Sequence, residues 1–166
     1  MSDATAAENR ANMSAWLAEH KQRYLSSGGR DGHIEDLAAM GALAFTPHCL
    51  IRYKGRKSGK TYINPLIYGA IGGEVVIVAS KGGADQHPGW YFNIKDQPEI
   101  EFQIGTQAFR GTLREPVGEE RERVWEFMAA NFPPYRSYQA STKRQIPLVM
   151  MRPAAAIPVF RPEDQS

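Results

Sequence analysis

The sequence predicts an α+β domain built on a small antiparallel β-barrel, and three observations carry that expectation. Short apolar or alternating runs recur at residues 45–53, 61–68, 75–79, 99–104, 107–115 and 146–151. Most successive runs are joined by hairpin-length, glycine-containing turns, which favours an antiparallel barrel over a parallel Rossmann sheet. Helical periodicity appears only at the ends of the chain and between strands.

Residues 1–7 are polar and read as disordered. Over residues 8–25, Met13, Trp16, Leu17 and Tyr24 share one helical face, and Ser26-Ser27-Gly28-Gly29 ends the helix. That face could pack on its own domain, cover a pocket, or meet a membrane or partner surface. After a flexible connection, residues 33–44 offer a short helix or loop. Residues 45–53 and 61–68 then form a hairpin-like pair around a basic turn, with Pro47 near the first strand's start, where a missing donor is tolerable. Val75-Val76-Ile77-Val78-Ala79 is continuously apolar, as expected of a strand buried on both faces.

The chain next turns glycine-rich and becomes helical over residues 88–95, with proline in the first turn. Two strands, 99–104 and 107–115, precede the clearest helix, residues 118–131. Its first turn holds Glu119, Glu120 and Glu122, while Val124, Trp125, Phe127 and Met128 supply the buried side. Pro133-Pro134 stops it. Residues 135–143 read as a short polar-aromatic segment, 146–151 as the last strand, and Pro153, Pro158 and Pro162 punctuate an irregular tail. The expected organisation is an N-terminal tail and helix over 1–32, a barrel domain over 33–152 and a tail over 153–166.

Composition narrows the function. A net charge of +2 is too small to argue for a nucleic-acid surface. The single cysteine, Cys49, excludes an internal disulfide, sits in an apolar run and fits a cytoplasmic setting. No run approaches the ~20 apolar residues of a membrane span. His20, His33, His48 and His87 lack zinc-ligand spacing, so no metal site is expected, and no Gly-x-Ser-x-Gly elbow occurs.

Two clusters remain. Lys54-Gly55-Arg56-Lys57-Ser58-Gly59-Lys60 is either a solvated hairpin turn or an anion clamp, with Arg56 able to make bidentate contacts. Ser80-Lys81-Gly82-Gly83 follows a buried strand, so its backbone N–H groups and the Lys81 ammonium could meet a phosphate together. His87-Pro88-Gly89-Trp90-Tyr91-Phe92-Asn93 adds rings and an amide at a helix start. Trp90 and Tyr91 are then core residues or pocket walls, and His87 is a cap or a pocket residue. An anionic aromatic ligand with no strong protein nucleophile points to cofactor chemistry.

In their fixed order, Gly55-Arg56-Lys57-Ser58-Gly59-Lys60, Asn64-Pro65-Leu66, Ala79-Ser80-Lys81-Gly82-Gly83 and His87 to Asn93 resemble the deazaflavin-dependent nitroreductase family. Pro134-Tyr135, Tyr138-Gln139 and Thr142-Lys143-Arg144-Gln145-Ile146-Pro147 extend the resemblance over roughly residues 40–152. It implies a split β-barrel and the cofactor coenzyme F420. It also implies hydride transfer from reduced F420 to an electron-poor small molecule: an enone, a quinone or a nitroaromatic. Carried over by position, Arg56, Lys57 and Ser58 would meet the cofactor's tail. Asn64, Pro65 and Leu66 would line the deazaflavin, with Ala79, Ser80 and Lys81 opposite and Trp90 and Asn93 completing the pocket. Tyr135 and Tyr138 would close over the ring, and either of them or Ser80 would donate the proton or wall the substrate pocket. Tyr62 stands where many relatives carry another basic residue, and Ile67 where nitroimidazole-reducing relatives can carry tyrosine. FMN or haem in the same barrel, and a non-catalytic F420 carrier, are the alternative expectations. The chain is expected as a monomer or homodimer, with peripheral membrane contact through its first helix as a further expectation.

Overall fold

In the computed structural model, which describes residues 3–166, six antiparallel strands close into a barrel, flanked by one further strand and four α-helices. The helices are α1 (Asp3–Ser26), α2 (Gly89–Ile94), α3 (Gly118–Asn131) and α4 (Pro134–Ala140). The strands are β1 (Ile34–Glu35), β2 (Thr46–Lys54), β3 (Thr61–Ile71), β4 (Glu74–Val78), β5 (Ile100–Ile104), β6 (Gln107–Arg114) and β7 (Leu148–Ile157). Sheet order is β1-β2-β3-β4-β7-β6-β5, and β5 pairs back onto β2 to close the barrel.

The apolar run of β4 shows how the sequence builds two cores. Val75 and Ile77 point into the barrel with Ile51, Phe102, Val149 and Met151, where Trp90, Tyr91 and Ile94 of α2 plug one end. Val76 and Val78 point outward beneath α3 and α4, against Val124, Met128, Phe132 and Tyr135. Both faces are covered, so alternation disappears from the sequence. Each large aliphatic side chain buried this way contributes about 1.5–3 kcal/mol.

α1 is anchored at its C-terminal end. Tyr24 is fully buried with Leu25, Leu50, Ile63 and Phe160. Its hydroxyl donates to the His48 carbonyl at 2.8 Å and accepts from the Gly105 N–H at 2.8 Å. Arg23 adds ion pairs to Glu19, Asp31 and Glu35.

One opening matters for the site. β2 pairs with β3 from His48↔Ile67 to Lys54↔Thr61, but β4 pairs with β3 only from Tyr68 onward. Residues 61–67 therefore leave one strand edge free, and Pro65, with no N–H to offer, suits such an edge.

Three sequence expectations are corrected. Residues 3–7 belong to α1 instead of a disordered tail, residues 1–2 lying outside the described part. Residues 134–140 are helical, because Pro134 stands in a first turn, where its missing N–H costs nothing. β7 runs to Ile157, through Pro153, instead of ending at Met151. β4 covers β7 only as far as Met151, and a register shift at Arg110/Gly111 lies opposite Pro153, so the proline sits beside an irregularity on a strand edge.

Candidate active site

The free edge of β3, the turn after β4 and the start of α2 enclose a groove of two connected lobes. A basic lobe of about 530 Å³ is bounded by Gly55, Arg56, Lys57, Ser58, Tyr53 and Tyr62, with Asn93 at its α2 side. A larger lobe of about 890 Å³ is bounded by Pro65, Leu66 and Ile67 of β3, by Ser80 and Gly82, and by Phe132, Tyr135 and Tyr138. Asn64, Lys81, Pro88 and Trp90 line both, so the two are one continuous groove.

In the basic lobe, the Arg56 backbone N–H and guanidinium both donate to Asn93 Oδ1, at 2.8 and 3.0 Å, and the guanidinium lies over the Phe92 ring. Asn93 thus ties the hairpin to α2 and stands in the basic lobe, away from the larger one. The Tyr53 hydroxyl donates to Asn64 Oδ1 at 2.5 Å and its ring stacks on Tyr62 at 5.8 Å. Lys57 and Lys60 are exposed and make no ion pair among the described residues.

The turn after β4 carries the backbone strain of the site. Lys81 has φ 47°, the one positive value outside glycine among the described residues, and Gly82 follows at φ 63°. A right-handed residue (Ser80) followed by left-handed ones curls successive N–H groups toward one concavity, an arrangement suited to an anion. Arg144 holds this turn from behind. It donates to the carbonyls of Ala84, Ala79 and Ser80 at 2.7, 3.2 and 2.7 Å, and to His87 Nδ1 at 2.9 Å. Ala79 itself is buried and lines neither lobe. His87 does not cap α2, which begins after Pro88 without a side-chain cap.

Burial raises the phenol pKa of Tyr135 and of Tyr138, so both hydroxyls stay protonated near neutral pH. Tyr138 is half-buried while Tyr135 is almost wholly buried among Phe132, Trp125 and Tyr138. Tyr138 is therefore the more accessible donor. Cys49 is fully buried and its thiol pKa is pushed up, which excludes it as a nucleophile.

Sequence reasoning left the α1 face open between packing, a pocket cover and a membrane or partner surface, and missed the two histidines beside it. Met13, Trp16, Leu17 and His20 of α1 close the larger lobe, with His48 of β2 beside them. The face that could have met a membrane is thus turned onto the groove, and no described helix is long and apolar enough to cross a bilayer. The signal was present in the i, i+4, i+8 spacing of Trp16, His20 and Tyr24, where His20 was left out of the apolar face. Among the described residues, no cluster of three or more His, Cys, Asp and Glu side chains is placed to hold a metal.

His48 yields a pH prediction. Burial, then the neighbouring His20, pushes its pKa down from 6.5 to about 4. The unfolded chain binds this proton more readily, so the stabilisation is complete above about pH 6.5 and is lost as pH falls toward 4. Unfolding free energy should drop by about 2–3 kcal/mol from this group between pH 7 and 4.5. Glu74, held below its ordinary range by Arg114, changes stability in the same direction. Urea titrations of the wild type and His48→Gln across that range isolate the histidine's share: the variant's curve should be flatter.

Comparisons with known proteins show the family. Residues 16–153 match the family model described as F420H(2)-dependent quinone reductase. An F420H(2)-dependent quinone reductase of Mycobacterium tuberculosis is 33% identical over 138 residues, covering 81% of this chain and 88% of the relative. A solved structure titled as an F420-H2 dependent reductase is 41% identical at TM-score 0.59, over 64% of this chain and 94% of that one. Another, titled as a domain-swapped dimer, is 38% identical at TM-score 0.62, over 84% and 98%.

Proposed function

This chain belongs to the F420H(2)-dependent quinone reductase family, and from that premise we propose that it reduces a quinone in the larger lobe of the groove. It is an F420-dependent oxidoreductase, with coenzyme F420 as its cofactor. The observation that supports the quinone reading is the continuity of a basic lobe with a larger, mostly apolar one through Asn64, Lys81, Pro88 and Trp90. A flat ring joined to an anionic tail needs that pairing of environments, so the residues present fit the cofactor.

When bound, reduced F420 supplies the hydride. Arg56, Lys57 and Ser58 would hold the anionic tail, and Lys81 with the curled Ser80–Gly82 backbone would hold the phosphate. Asn64, Pro65, Leu66 and Trp90 wall the ring, and α1 excludes water from the face opposite β3. Tyr138 Oη, or Ser80 Oγ, delivers the proton that balances hydride addition, with Tyr135 packed behind Tyr138. Ala79 contributes through its carbonyl, which Arg144 uses to fix the turn. For partners, the reading is a small-molecule acceptor and, following the domain-swapped relative, a homodimer.

The test is a fluorescence titration with F420, followed by oxidation of its reduced form in the presence of a quinone. Arg56→Ala/Lys57→Ala is expected to weaken F420 binding by about 10- to 100-fold, as loss of charge-assisted contacts predicts. Tighter binding of FMN than of F420, or no quinone-dependent oxidation, would overturn the reading.

A further inference from the structure

His48 and His20 meet at the α1 end of the larger lobe, with ring centroids 4.7 Å apart and planes nearly perpendicular. Each ring has one nitrogen against a backbone carbonyl: His48 Nδ1 with Thr46 at 3.0 Å, and His20 Nε2 with Gly32 at 2.7 Å. A carbonyl only accepts, so each of those nitrogens carries the hydrogen. In the neutral rings, His48 Nε2 and His20 Nδ1 are then bare lone pairs. His20 Nδ1 is the one sealed, unpartnered side-chain polar atom among the described residues. His48 Nε2 also lacks a partner among them, and the His48 side chain lines the cavity.

Position adds to this. His48 lies directly opposite Ile67 in the β2–β3 register, so the two side chains share a face. A flat ring resting on Ile67 would lie beside the His48 side chain. The neighbours on this side include Trp16 and Tyr24, whose rings lie 5.0 and 6.2 Å from His20, and Glu35, 3.5 Å from His20 Nε2 and itself paired with Arg23. No donor from the described residues reaches either bare nitrogen. A buried, unpaired acceptor facing a binding cavity selects ligands that bring a donor.

Resting on the quinone reading, we propose that His48, positioned by His20, accepts a hydrogen bond from a ligand hydroxyl in the larger lobe. A quinone has carbonyl oxygens and no donor. Addition of one hydride and one proton gives a hydroquinone with O–H groups. The lobe therefore holds the hydroxyl-bearing, reduced form more tightly than the carbonyl-only form, which favours reduction on the protein. His48 binds the ligand, with the His20 ring packed against it.

The test uses two redox-inert probes that differ by one donor, 2-naphthol and 2-methoxynaphthalene, titrated by calorimetry into the protein with and without F420. The wild type is expected to bind the naphthol about 10-fold more tightly, the worth of one hydrogen bond to a buried acceptor. His48→Phe should abolish the preference, while His48→Gln, whose amide oxygen can accept, should restore part of it. Ring-nitrogen NMR of the wild type should show Nε2 of His48 unprotonated and displaced by the naphthol. Equal affinities in the wild type, an undiminished preference in His48→Phe, or an unmoved Nε2 resonance would overturn the proposal. A preference without F420 binding would support it while overturning the cofactor-dependent reading, so the two failures are distinguishable.

Discussion

Gly83→Ala is expected to lower unfolding free energy by about 2–5 kcal/mol and to weaken F420 binding at least 10-fold. Gly83 has φ 85°, where an alanine costs about 1–2 kcal/mol from its Cβ alone. That Cβ would also lie 2.3 Å from Ser141 Oγ, 2.8 Å from the Tyr138 carbonyl oxygen and 2.9 Å from Tyr138 Cα. Overpacking of this kind adds about 1–3 kcal/mol, since backbone cannot rotate away as a side-chain tip can. The contact joins the Ser80–Gly83 turn to the helix that carries Tyr138, and the single Ser141 hydroxyl hydrogen is shared between the carbonyls of Gly83 at 3.0 Å and Tyr138 at 2.8 Å. Relief must come from moving one of the two, so the loss should appear in stability and in cofactor affinity together. Thermal unfolding and F420 fluorescence titration check it. An alanine variant with wild-type affinity would mean that the turn and α4 are not coupled.

Arg144→Ala should be comparably damaging for a different reason. Its guanidinium satisfies three carbonyls and one imidazole nitrogen around the Ser80–His87 turn. Hydrogen bonds from a charged donor contribute about 1.5–3 kcal/mol each, and water takes over only some of these partners after truncation. A net loss of about 3–5 kcal/mol follows, with F420 binding weakened because the Lys81 backbone is no longer held in its left-handed conformation. Arg144→Lys keeps the charge but not the fork, and it should recover less than half of the lost stability. Denaturant melts of both variants, with F420 titrations alongside, separate charge from geometry.

The parts of the fold readable in the sequence were those with local causes. β4 announced itself by five consecutive apolar residues, and α3 by a charged first turn and an apolar face, because both patterns are set by what lies directly on each side of the element. β7 was cut short because Pro153 locally forbids a central strand, while the partner's register shift at Gly111 is a property of another strand. α4 was hidden by the prolines that begin it. In the site, the basic hairpin and the Ser80–Gly83 turn were legible from charge and glycine spacing. Arg144 was not, since nothing local to Lys143-Arg144-Gln145 shows that its fork reaches back 57 to 65 residues. His20 and His48 lie 28 positions apart on different elements, and only the docking of α1 brings them together.

That docking divides the groove unequally. α1 supplies Met13, Trp16, Leu17 and His20 to the larger lobe and, among the described residues, none to the basic one. On the proposed reading, the α1 wall bears on the choice of acceptor while the contacts to the cofactor's tail lie in another stretch of chain. Substitutions along one helix can drift or be selected for a new acceptor without retuning the tail contacts, and exchanging this helix between relatives should transplant acceptor preference at little expense to cofactor affinity.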